Sequence, residues 1–159
     1  MRIKRRIKQA GLALLLAGAA IQFFRPELND RGIVDGPRSL EAIYRPPALV
    51  KDALRNACYN CHTDRTHYRW FDHVQPFAWL VASDIRDGKR AVNFSRFGDL
   101  SPAARLKRMT FSMEAMREGA MPMGRYMLFH PEAKLQPAQI EAVEQWVASL
   151  KDQEPALAK

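Results

Sequence analysis

The apolar and polar positions of this chain resolve into one unbroken apolar run followed by four stretches with helical periodicity. The run covers residues 10–24 (AGLALLLAGAAIQFF) and follows a basic start of Arg2, Lys4, Arg5, Arg6 and Lys8. Charge followed by an apolar stretch predicts an export signal or membrane anchor over residues 1–24. The run is shorter than the roughly 20 apolar residues of a spanning helix. Ala17 and Ala19 offer the small side chains that signal peptidase accepts, whereas Ile21, Gln22, Phe23 and Phe24 prolong the apolar character and favour retention. On either reading the basic residues stay inside and the remainder of the chain is carried across.

Residues 25–45 (RPELNDRGIVDGPRSLEAIYR) are rich in Pro, Gly and Asp and hold no sustained period, so they read as a tether. The folded domain is expected over residues 46–152. Its first helix spans residues 46–61, with Pro47 in the first turn and Val50, Ala53, Leu54 and Ala57 at helical spacing. A second, over residues 76–87, carries Phe77, Trp79, Leu80 and Ile85 and is stopped by Gly88. The third opens on Ser101 as N-cap and Pro102 as first residue, continues through Leu106, Met109, Met113 and Met116, and ends at Gly119. The last, over residues 137–150, has Ile140, Val143, Trp146, Val147 and Leu150 on one face. No alternating run bounded by hairpin turns predicts a strand, and no repeat is present, so the fold class is all-α.

With 159 residues, 47% of them apolar, the chain suits a single small domain. Its net charge of +8 is concentrated in the first eight residues, and no basic and aromatic platform follows. Nucleic-acid binding is therefore not expected. The two cysteines stand within five residues of one another, which excludes the disulfide framework common in small exported domains.

Those cysteines form Cys58-Tyr59-Asn60-Cys61-His62, a C-x-x-C-H motif. Two thiols one helical turn apart can each add to a vinyl group of haem, and the next imidazole reaches the iron. Covalent attachment suits a domain too small to enclose the cofactor, which points to one haem c held by Cys58 and Cys61 with His62 as axial ligand. Two rivals exist. A thiol redox site lacks the expected strand before the motif, and a zinc site built from Cys58, Cys61, His67 and His73 lacks the usual spacing. For the opposite face of the iron the favoured ligand is Met121, in the loop Gly119-Ala120-Met121-Pro122 after the third helix. Met123 and His130 are the alternatives. Met109, Met113, Met116 and Met127 read as core packing, as do Tyr68, Trp70, Phe71, Trp79, Phe94 and Phe97.

The sequence resembles the bacterial haem-binding domain family related to c-type cytochromes. The resemblance is carried by Ile21-Gln22-Phe23-Phe24-Arg25-Pro26, Ala57-Cys58-Tyr59-Asn60-Cys61-His62, Tyr68 to Trp70, Gln75-Pro76, Asn93-Phe94-Ser95, Met121-Pro122 and His130-Pro131-Glu132-Ala133-Lys134-Leu135. It implies a small helical cytochrome c-like domain, exported and held at the membrane, with Cys58, Cys61 and His62 at the haem. The chain departs in Arg69, where the family tends to have Pro, and in the second methionine, Met123.

An iron capped by His62 and Met121 has no open position, so the expected activity is single-electron transfer with redox protein partners on the periplasmic side of the cytoplasmic membrane. The alternative is a peroxidase-like enzyme, or a gas or redox sensor, with a displaceable sixth ligand. No general acid and base pair stands beside the motif, which favours a carrier over a catalyst.

Overall fold

The computed structural model describes residues 2–157, and all regular structure among them is helical. The helices are α1 (Arg2–Ile21), α2 (Leu40–Tyr44), α3 (Ala48–Ala57), α4 (Tyr59–His62), α5 (Phe77–Ala91), α6 (Pro102–Arg117), α7 (Gly124–Phe129) and α8 (Pro137–Leu157). Short 3-10 turns occupy Trp70–His73, Phe94–Asp99 and Pro131–Ala133. Contacts within the chain separate two compact units: residues 2–28 with His67–Asp84, and Asn29–Thr66 with residues 85–157.

In the first unit, α1 takes up most of the segment expected as signal or anchor; Met1 lies outside the described residues. The helix buries no side chain, and Leu12, Leu14, Leu15 and Leu16 stand exposed along it. No described helix is long and apolar enough to cross a membrane. After α1, Gln22 and Gln75 exchange hydrogen bonds. Gln75 donates its backbone N–H to Gln22 Oε1 (2.9 Å), and its side-chain amide donates to the carbonyl of Phe24 (2.6 Å). Trp70 and Trp79, expected among the packing aromatics, are exposed here.

The second unit holds the apolar core. Val143, Trp146, Val147 and Leu150 recur at spacings that place them on one face of α8, which packs against α3 and α6. From α3 come Val50, Ala53 and Leu54; from α6 come Met109 and Met116, with Leu106 and Met113 partly buried against them. The signals that bound α6 act as expected. Ser101 Oγ accepts from the N–H of Ala104, Pro102 opens the helix, and Gly119 follows it with a φ of 71°.

Three expectations are corrected. Residues 29–45 are not a free tether: Ser39 caps α2 by accepting from the N–H of Ala42 (3.2 Å), and Leu40 and Tyr44 are buried in the core. A helix of five residues is too short for periodicity to reveal. The first predicted helix breaks at Cys58, whose φ of −123° separates α3 from α4. Gly88 does not stop α5, which runs on to Ala91, because the glycine serves a close approach rather than a cap.

Candidate functional site

All the candidate haem ligands, Cys58, Cys61, His62, Met121, Met123 and His130, belong to the second unit. Cys58 ends α3, donating its N–H to the carbonyl of Leu54 (2.9 Å). Its own carbonyl accepts from the N–H groups of Cys61 (3.1 Å) and His62 (3.0 Å), so one tight turn carries both thiols and the imidazole. The two cysteines form no disulfide with each other and are partly buried. Burial pushes the Cys58 thiol up to about 12, and the neighbouring Cys61 adds to the rise. Among the described residues no three His, Cys, Asp or Glu side chains form a metal-holding group.

The His62 ring is held from the far end of α5. Nδ1 lies 3.1 Å from the carbonyl oxygen of Val92, with a further contribution from the carbonyl of Gly88. A carbonyl only accepts, so Nδ1 carries the proton and Nε2 keeps its lone pair. Burial lowers the pKa of the ring against the effect of those carbonyls. Neutral imidazole with a free Nε2 is the form that binds a metal. Phe94 flanks the ring, with centroids 5.8 Å apart.

The loop after His62 is held as firmly. Asp64 accepts from Asn93 Nδ2 (2.8 Å), Lys89 Nζ (3.0 Å) and Arg96 Nε (2.7 Å), and its backbone N–H donates to Ser95 Oγ (3.0 Å). Burial opposes the charge of Asp64, but the hydrogen bonds from Asn93, Lys89 and Arg96 prevail and hold its pKa below the usual value. Asn29, from the supposed tether, donates to Thr63 O and Thr66 Oγ1 (both 3.0 Å), and Thr66 Oγ1 in turn donates to the carbonyl of Asn60 (2.6 Å). The donor set and the turn that presents it fit a haem: Cys58 and Cys61 could hold it through their thiols, and His62 could ligate its iron.

The three candidates for the opposite face fall in one segment with different surroundings. Met121 is 36% exposed, with its backbone N–H bonded to Ala115 O (3.0 Å). Met123 is partly buried and precedes α7. His130 is buried, stacks on Tyr126 at 4.0 Å and places Nδ1 3.2 Å from Glu132 Oε1. Tyr126 reaches back to the motif itself, where its hydroxyl accepts from Asn60 Nδ2 (2.7 Å). A cavity of about 160 Å³ in the first unit, lined by Pro26, Tyr68, His73 and Ala82 among others, contains none of these residues.

Sequence reasoning missed Val92 and Asp64, and the contacts that Gly88, Asn60 and Tyr126 make around the motif. Their signals are faint: a glycine that reads equally as a helix stop, and Asn93-Phe94-Ser95, the capped turn whose Asn93 accepts from the N–H of Ser95 (3.0 Å) while binding Asp64.

Neither the curated proteins nor the solved structures contain a match to this chain. The sequence profile of the haem-binding domain family, in contrast, matches residues 16–149, a range that includes every candidate ligand. With most of its length so matched, the chain belongs to the haem-binding domain family.

Proposed function

We propose that this protein binds one haem c covalently through Cys58 and Cys61, with His62 and Met121 as axial ligands, and carries single electrons on the periplasmic side of the cytoplasmic membrane. The observation that carries the reading is the His62 ring, fixed through Nδ1 by the Val92 carbonyl, which leaves Nε2 as the metal-binding nitrogen. In attachment, each thiol adds across a vinyl group: a sulfur–carbon bond forms and the thiol hydrogen goes to the other vinyl carbon, so no oxidant is needed. The bound haem supplies one-electron chemistry. The chain's own groups do the rest. The hydrogen bond from His62 Nδ1 to the Val92 carbonyl would make the imidazole a more basic ligand for the iron, and the Met121 thioether as a second ligand would raise the potential.

Location and partners follow from the same reading. The basic residues of α1 followed by exposed leucines support export with the N-terminal segment at the membrane, where redox proteins are the fitting partners. The exposure of Met121 with Met123 two positions away favours one second reading, a peroxidase-like enzyme or gas sensor in which the sixth ligand gives way.

Expression with a c-type maturation system tests the proposal. Haem should remain on the denatured protein, and Cys58→Ala with Cys61→Ala should abolish it. A near-infrared Met-to-ferric charge-transfer band should vanish in Met121→Ala and persist in Met123→Ala. Ready binding of carbon monoxide to high-spin iron would instead select the sensor or enzyme.

A further inference from the structure

We infer that Tyr126 is a positioning residue that holds the Met121 segment against the haem-attachment motif, through the hydrogen bond between its hydroxyl and Asn60. The inference rests on the reading of Met121 as the sixth ligand.

Met121 is exposed, so core packing does not orient it; the backbone on either side must. On the N-terminal side its own N–H is bonded to Ala115 O in α6 (3.0 Å). On the other side Pro122 is buried and the carbonyl of Met123 accepts from the N–H groups of Tyr126 (2.9 Å) and Met127 (3.1 Å), which makes the Met121–Met123 loop and the first turn of α7 one rigid piece. That piece is fixed in turn by Tyr126. His130 stacks on one face of its ring, nearly parallel at 11°, and the buried His130 is itself bonded to Glu132.

The far end of the link is equally fixed. Asn60 lies between the two cysteines, and its carbonyl accepts from Thr66 Oγ1 (2.6 Å), which is held by Asn29. The Asn60–Tyr126 hydrogen bond, at 2.7 Å and between residues 66 positions apart, thus joins the two segments that would carry opposite faces of the iron. Its loss frees one of the two ends of the Met121 loop. A ligand on a loosened loop competes less well, by the roughly three- to tenfold that one hydrogen bond is worth.

The test uses full-length protein carrying haem. In Tyr126→Phe the ring and its stack on His130 remain and only the hydroxyl is lost. Covalent haem should be unchanged, but imidazole should displace Met121, read by loss of the charge-transfer band, at about a three- to tenfold lower concentration than in the parent. Asn60→Ala should give the same shift, and the double variant no more than either alone; Asn60→Ala carries the test by itself if Tyr126→Phe does not fold. Parent-like imidazole binding in both variants would overturn the inference while leaving the attachment and the Met121 reading intact. A parent protein that holds haem but shows no such band would overturn the Met121 reading, and the inference with it.

Discussion

Gly88 in α5 lies against Cys61 of the attachment motif so closely that a Cβ on it would stand 2.7 Å from the Cys61 carbonyl oxygen. That approach lets the last turns of α5 bring the Val92 carbonyl to His62 and Lys89 to Asp64. The neighbouring atom is backbone, not the end of a flexible side chain, so it cannot swing aside.

Two effects therefore compete in Gly88→Ala. Helix propensity favours alanine by about 1 kcal/mol, whereas forcing a methyl against fixed backbone costs about 1–3 kcal/mol. The clash should win, giving a lower urea midpoint with an unchanged slope. A variant more stable than the parent would show that the approach is looser than described.

Asp64 ties the loop after His62 to Lys89, Asn93 and Arg96. Asp64→Asn removes the charge that those donors surround and should cost about 1–3 kcal/mol in chemical unfolding. Part of the loss should shrink in high salt, since the Arg96 side chain is well exposed. Equal stabilities at low and high salt would assign Asp64 no electrostatic role.

Glu41 brings a pH dependence. Burial opposes its charge, but Arg55, Lys51 and Tyr59 together hold its carboxyl at about 2 instead of the ordinary 4.5. With the folded value depressed, its contribution to stability is complete above pH 4.5 and is lost as the pH falls towards 2. Glu41→Gln should cost roughly 2 kcal/mol at neutral pH, less than full linkage gives because Lys51 and Arg55 are 44% and 37% exposed. Melts between pH 7 and 2 check this: the gap between variant and parent should close at the acid end, and a constant gap would exclude the carboxylate as its source.

Leu40 distinguishes a packed segment from a tether. Its side chain is fully buried in the core of the second unit. Leu40→Ala should lower stability by about 3 kcal/mol through lost burial and the cavity left behind. The thermal midpoint of the haem-bearing protein measures it, and a change under 0.5 kcal/mol would return residues 29–45 to the status of a linker.

What the sequence alone determined was local. C-x-x-C-H sets two thiols and an imidazole on one turn because that spacing is a property of the helical backbone. Ser101, Pro102 and Gly119 bounded α6 because caps act within a few residues, and the stripe from Val143 to Leu150 announced the core face of α8. What only the tertiary structure decided joins residues distant in the chain. Val92 reaches His62 across 30 positions and Tyr126 reaches Asn60 across 66. Gly88 reads equally well as a helix stop or as room for a neighbour, and Leu40 and Tyr44 show no period within so short a helix. Such pairings depend on which surfaces meet once the core closes, and no local pattern encodes that.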